Sequence, residues 1–261
     1  MSDFIELSST LGAELASLNG DQRVAVTQKV SNVVRAGPGS GKTRTLVARV
    51  AYLLEVEIPR RQGVAAITYT RQAAREIDDR IGRLGLKDRH RLTCGTVHSW
   101  CMSAILRPYG PLVGFSVPLE GAVIDDNDGT WVRTLQGCFD DLGIPNNAQY
   151  ERAAVTKIRR ELAAGYSDER TRMVEAAELF DRKLTELGMF DFDSMISSAL
   201  KIVSQHSSVG RLLASRYPWI VVDEYQDLGP VLHKLVLTLH ERYGVHISAF
   251  GDPGGLFTSL I

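Results

Sequence analysis

Residues 36–43 read Ala36-Gly37-Pro38-Gly39-Ser40-Gly41-Lys42-Thr43, set between an apolar run at 30–34 and an amphipathic stretch at 45–54. A loop with so little side-chain bulk lets backbone N–H groups close around phosphate oxygens, and the helix that follows offers them its positive end. Lys42 is then placed to reach the β and γ phosphates of a nucleoside triphosphate, and the Thr43 hydroxyl to ligate Mg²⁺. The usual pattern opens on glycine, whereas this one opens on Ala36, a relaxed form of the same loop. The predicted phosphate-binding segment runs from Ala36 through Arg44.

A loop of this kind works with a carboxylate at the tip of a later buried strand. The run Trp219-Ile220-Val221-Val222 followed by Asp223-Glu224-Tyr225-Gln226-Asp227 supplies one. A strand buried on both faces reads as continuous apolar sequence, and doubly wound sheets place ligands at the carboxyl ends of their strands. Asp223 is expected to hold Mg²⁺ directly or through water, and Glu224 to orient and deprotonate the attacking water. A solvated acidic turn is the competing account of these two residues taken alone.

With 261 residues, 44% hydrophobic and 23% charged, the chain has room for one large core or a core plus an insertion. The sequence starts Met-Ser-Asp-Phe-Ile-Glu, without a basic-then-apolar leader pattern, and no later apolar run approaches the length of a membrane span. Cys94, Cys101 and Cys138 lack metal-ligand spacing and read as reduced thiols, so a soluble cytoplasmic protein without membrane partners is expected. The net charge of −1 conceals an uneven distribution: between residues 59 and 107, ten Lys and Arg stand against four Asp and Glu. That excess suits either a track for a phosphate backbone or a solvated helix face, and charge alone does not choose.

Strand-like runs occur at 30–34, 64–68, 91–94, 220–222 and 245–250, several followed by helical patterns. Such alternation predicts an α/β fold with a parallel sheet and crossover helices. Asn19 is placed to cap a helix, with Gln22 at the capping-box position. Between residues 108 and 188 the character changes: Gly/Pro-rich turns and an acidic patch (Asp125, Asp126, Asp128) precede helical patterns at 131–142, 150–163 and 170–187. A helical subdomain inserted in an α/β core is expected, with the core at 1–108 and 189–261 and the insertion at 109–188.

Taken in order, these blocks resemble the UvrD/Rep/PcrA-like superfamily 1 DNA helicases along nearly the whole chain. Residues 18–26, Leu-Asn-Gly-Asp-Gln-Arg-Val-Ala-Val, are similar to that family's Q motif; the resemblance implies that Gln22 reads the adenine edge, in competition with its capping role. Thr68-Tyr69-Thr70-Arg71-Gln72-Ala73-Ala74 resembles motif Ia, and Gly95-Thr96-Val97-His98-Ser99 a block that touches the single strand. Asp191-Phe192-Asp193 resembles the acidic-aromatic block after the inserted 1B subdomain, and residues 222–227 resemble motif II almost letter for letter. The resemblance implies a RecA-like P-loop NTPase sheet with an inserted helical subdomain, ATP and Mg²⁺ as cofactors, and single-stranded DNA as partner. Thr68, Tyr69, Thr70, Thr96, His98 and Ser99 are the implied nucleic-acid residues. Tyr69 is suited to stacking on a base while neighbouring hydroxyls meet phosphates; a core or rim tyrosine and a structural histidine remain open alternatives. Gln226 is expected to bond the γ-phosphate or its water, or to be a surface turn residue.

The sequence also departs from the family pattern. Gly251-Asp252-Pro253-Gly254-Gly255 carries Gly255 where motif III has glutamine, and Ile261 stands about where the family's arginine falls. These departures lead to the expectation of a 3′-to-5′ helicase half that hydrolyses ATP weakly and does not unwind alone, with a second polypeptide or second copy supplying the missing RecA-like domain. The competing expectation is a non-catalytic, nucleotide-dependent DNA-binding or partner-binding remnant.

Overall fold

The computed structural model describes residues 8–37, 39–86, 89–117, 122–145, 148–166 and 171–252. Its strands are β1 (Asn32–Arg35), β2 (Val64–Thr68), β3 (Leu92–Thr96), β4 (Val123–Ile124), β5 (Phe190–Asp191), β6 (Trp219–Val222) and β7 (His246–Gly251). A five-stranded sheet has the order β1-β7-β6-β2-β3 with every pairing parallel, while β4 and β5 form a separate parallel pair. The architecture is thus mixed α/β with a parallel central sheet, as a RecA-like domain requires. Among the described residues no helix is long and apolar enough to cross a membrane.

Internal contacts divide the chain into two units, one joining Met1–Trp100, Ser207–Leu228 and Val236–Ile261, the other Cys101–His206 and Gly229–Leu235. The helical unit therefore reaches beyond residues 109–188 on both sides, because the turns at Cys101–Leu106 and the helix at Phe192–Gln205 pack with it.

In the sheet unit, β2 and β6 are buried along their whole length, which is why their sequences are unbroken apolar runs. One face of the sheet, through Val64, Ala66, Trp219 and Val221, packs on Leu46, Val47 and Val50 of the Lys42–Tyr52 helix and on Ile77 and Ile81 of the Arg71–Arg83 helix. Strand β1 starts two residues later than its apolar run suggests. Val30 is exposed, and Asn32, whose amide donates to the Ala25 carbonyl at 2.9 Å, opens the ladder opposite Ser248.

Two buried arginines hold the connections in place. Arg49 donates to Ser248 Oγ (3.1 Å) and the Val26 carbonyl (2.6 Å) while its guanidinium lies 4.4 Å from the Trp219 ring centre, tying the Lys42–Tyr52 helix to β6 and β7. Burial lowers its pKa to about 10. Arg91 donates to the carbonyls of Leu54, Ile58, Pro59 and Gln62, closing the end of the π-helical turn Leu53–Glu57. Arg91 is accordingly removed from the basic run that the sequence offers as a phosphate track. Arg80 pairs with Glu76 one helical turn away, as on a solvated helix face.

In the helical unit, the Gly129–Leu142, Ala148–Ala164 and Arg172–Glu186 helices enclose a core that includes Trp131, Leu135, Phe139, Val155, Phe180 and Leu184. Trp131 and Phe180 meet edge to face at 4.9 Å. The acidic patch is turn and cap chemistry: Asp128 accepts from Thr130 N at 2.7 Å as N-cap, and Asp125 from Asn127 N at 2.8 Å. Asp191 is buried and accepts from Arg159 (2.6 and 3.0 Å), Trp131 Nε1 (2.9 Å) and Ser194 N (2.8 Å), so the acidic residue of this block is a structural anchor.

Candidate nucleotide-binding site

The site lies at the carboxyl ends of the parallel strands. The base of the loop after β1 is fixed to β7 by the Ala36 N–H, which donates to the Gly251 carbonyl at 3.0 Å. Within the loop, Ser40 N and Oγ both donate to the Gly37 carbonyl, and Gly39 and Gly41 take left-handed backbone angles. Gly41, with φ of 85°, is the N-cap of the Lys42–Tyr52 helix, which therefore begins three residues before the 45–54 pattern, at Lys42 itself. A Cβ on Gly41 would strain this backbone and would lie 3.0 Å from Gln22 Nε2, which would have to shift slightly. Pro38 lies outside the described residues.

Gln22 does two things at once. Its Oε1 accepts from Asn19 N at 3.1 Å in a complete capping box, and its Nε2 donates to the Ser40 carbonyl at 3.1 Å, bracing the phosphate loop. Arg44 is engaged elsewhere, paired with Glu14 at 2.5 Å and bonded to Ser17.

Lys42 faces both acids at the tip of β6: its Nζ is 2.5 Å from Glu224 Oε2 and 4.0 Å from Asp223 Oδ1. Asp223 is 5% exposed, and its Oδ1 has no hydrogen-bond partner among the described residues. Burial raises its pKa, with Lys42 opposing. A carboxylate held this way, 4.0 Å from the lysine at the end of the glycine-rich loop, fits a divalent cation.

Glu224 has φ of 49° and ψ of 48°, the left-handed region, and is alone in this among non-glycine residues described. That backbone costs roughly 1–2 kcal/mol, and such strain concentrates where a side chain must be aimed. Burial would raise the Glu224 pKa, but hydrogen bonds from Gln226 and Lys42 outweigh it and hold the carboxyl below its ordinary value. Gln226 Nε2 donates to Glu224 Oε2 at 2.8 Å, and Gln226 Oε1 accepts from Asp252 N at 3.0 Å. Gln226 thus bridges the tips of β6 and β7 and orients Glu224. The part played by Asp252 escapes sequence inspection because its backbone N–H, not its side chain, makes the contact.

The residues implied for nucleic-acid contact sit on the tips of β2 and β3. Tyr69 is 40% exposed, whereas Thr68 is 1% exposed, with a hydroxyl that has no partner among the described residues. The Thr70 hydroxyl accepts from Ala73 N at 3.1 Å as N-cap of the next helix. Thr96 Oγ1 accepts from Ser99 N at 3.2 Å, and Ser99 Oγ donates to the Thr96 carbonyl at 2.8 Å; Ser99 is exposed and His98 half-buried. Gly255 and Ile261 lie outside the described residues.

Residues 18–254 match the model of the UvrD/REP helicase N-terminal domain. The chain is 28% identical over 246 residues to the ATP-dependent DNA helicase PcrA of Staphylococcus aureus, covering 89% of this chain and 33% of that protein. It is 30% identical over 243 residues to the ATP-dependent DNA helicase UvrD1 of Mycobacterium bovis, covering 87% and 31%. Against a DNA helicase II homolog of Mycoplasma capricolum it is 26% identical over 253 residues, covering 92% and 34%. The chain spans about a third of the length of these curated relatives and corresponds to their N-terminal part. With the phosphate loop, the acid pair at the tip of β6 and a matching domain model over nearly all of its length, the chain belongs to the UvrD/REP helicase N-terminal domain family.

Proposed function

We propose that this chain is the ATP-binding part of a DNA helicase of the 3′-to-5′ class, hydrolysing Mg²⁺-ATP in response to single-stranded DNA at the tips of β2 and β3. The observation that carries this reading is the placement of Lys42 within 2.5 Å of Glu224 and 4.0 Å of Asp223. In this reading the ammonium that meets the phosphates, the carboxylate that holds the metal and the base stand around one point. Thr43 and Asp223 would hold Mg²⁺, which when bound neutralises charge on the β and γ phosphate oxygens. Glu224, released from Lys42 by the arriving phosphates and still held by Gln226, accepts a proton from the attacking water. The cations that stabilise the transferring γ-phosphoryl come from a second RecA-like unit, in another part of the same protein or in a second polypeptide.

Glu224→Gln tests the hydrolytic role. Steady-state ATP turnover in the presence of single-stranded DNA is expected to fall by about 10²–10⁴-fold while ATP binding persists. Turnover equal to that of the unmodified protein overturns the assignment of the base.

Binding of the single strand is assigned to Tyr69 with the exposed basic residues near it. Tyr69→Ala is expected to lose about 1–3 kcal/mol of binding, and affinity to fall steeply as salt rises. Anisotropy titrations with a labelled oligonucleotide check both; salt-insensitive binding, or an unchanged Tyr69→Ala variant, removes this surface from the reading.

A further inference from the structure

Thr68 belongs to the nucleotide side of the sheet, although its neighbour Tyr69 faces outward. Strands β2 and β6 pair with Ile67 opposite Val222, and the Asp223 N–H continues the ladder by donating to the Ile67 carbonyl at 2.9 Å. Thr68 and Asp223 are therefore the next pair in register. Paired residues of adjacent parallel strands share a face, about 4.8 Å apart. That face is the one on which Ala66 and Val221 meet the Lys42–Tyr52 helix, whose first residue lies 4.0 Å from Asp223 Oδ1. Thr68 is 1% and Asp223 5% exposed, and each carries an oxygen without a hydrogen-bond partner among the described residues. Folded proteins leave few buried polar atoms in this condition, and two neighbours on one face point to a shared partner.

We infer that Thr68 is a positioning residue for the metal: its hydroxyl and the Asp223 carboxylate together hold one water of the Mg²⁺ that accompanies the nucleotide. The inference rests on the Mg²⁺-ATP reading above. Mg²⁺ keeps several of its waters and takes few protein ligands, so its water shell needs acceptors and donors around it. A carboxylate only accepts, whereas a hydroxyl both donates and accepts, and the two together can fix a water's orientation. Tyr69, one residue past the end of β2, is exposed where Thr68 is buried. One strand tip then carries both a base-stacking ring and a group that touches the metal's shell.

The test is the Mg²⁺ requirement of nucleotide binding, measured with a fluorescent ATP analogue in Thr68→Val, Thr68→Ser and the unmodified 261-residue chain. For Thr68→Val the Mg²⁺ concentration giving half-maximal binding is expected to rise about tenfold, with nucleotide affinity in EDTA unchanged. Thr68→Ser is expected to stay close to the unmodified protein, and the melting temperature of nucleotide-free Thr68→Val not to fall, since a methyl replaces an unpartnered hydroxyl. Thr68→Ala, expected to shift the Mg²⁺ requirement like valine, serves if valine unfolds the chain. An unchanged Mg²⁺ requirement with intact nucleotide binding overturns the role of Thr68 alone. Equal loss of affinity with and without Mg²⁺ assigns Thr68 a structural role and overturns it too. Failure of the unmodified protein to bind the nucleotide overturns the Mg²⁺-ATP reading and this inference with it.

Discussion

Lys42→Ala is expected to abolish detectable Mg²⁺-ATP binding, with a loss of at least about 100-fold, or about 2.8 kcal/mol. Two effects act in the same direction. The ammonium that meets the β and γ phosphates disappears while the loop backbone remains. The acids it faces, Glu224 at 2.5 Å and Asp223 at 4.0 Å, are then left without their cation beside an incoming polyanion. The second effect separates this site from a lysine that merely decorates a glycine-rich turn, because removing a solvated lysine would leave no uncompensated carboxylates behind. Isothermal titration calorimetry of the two proteins decides the matter. Matching affinities would mean that the loop does not bind triphosphate.

Asp191→Ala is expected to destabilise the helical unit by about 3–5 kcal/mol, the range for breaking a buried ion pair from one side. The substitution leaves the Arg159 guanidinium, whose side chain is 3% exposed, paired with Asp181 but without its buried partner, and strips Trp131 Nε1 and Ser194 N of their acceptor. Asp191→Asn retains one acceptor oxygen, enough for either Trp131 Nε1 or Ser194 N but not both, and is expected to cost less than alanine. Acid has a related effect. Burial alone would raise the Asp191 pKa, but the hydrogen bond and charge of Arg159 outweigh it and lower it to about 2. A carboxyl whose folded pKa lies below its unfolded value of about 4 stabilises the fold above pH 4, and that contribution is lost as pH falls from about 4 to about 2. Asp181, on the same guanidinium, is 48% exposed, so solvent weakens its pairing. Hydrogen exchange of the Gly129–Leu142 and Arg172–Glu186 amides, followed from pH 5 downward, reads this unit separately from the sheet. Protection in Asp191→Ala equal to that of the parent at pH 5 would contradict the anchoring role.

Features set by neighbours in the chain are legible in the sequence alone. The phosphate loop needs Gly39 and Gly41 for its left-handed backbone and Lys42 directly after them, all within a few residues. The capping box of Asn19 and Gln22 is equally local, and β2 and β6 announce themselves because central parallel strands have two faces to bury. Position along the chain does not say what a polar side chain meets across the fold. Arg91 belongs, by sequence, to a basic run, yet its guanidinium is enclosed by carbonyls from residues 54 to 62. Asp191 reads as part of a helicase block and is held by Trp131, 60 residues away, and by Arg159.

The same limit runs through the site itself. Sequence spacing places Asp223 and Glu224 after a buried strand, which suffices to nominate them beside Lys42 and Thr43. The bridge from Gln226 to Asp252 and the burial of Thr68 on the face of Asp223 follow from strand order and register, and the strained Glu224 backbone is visible only in the fold. The pairing of β2 with β6 joins residues more than 150 positions apart, and shifting it by one residue would put the Thr68 side chain on the face opposite that of Asp223. The glycines and the lysine of the loop therefore stand within eight consecutive residues, while the partners that the acids meet across the fold are set by long-range β pairing that no short motif encodes.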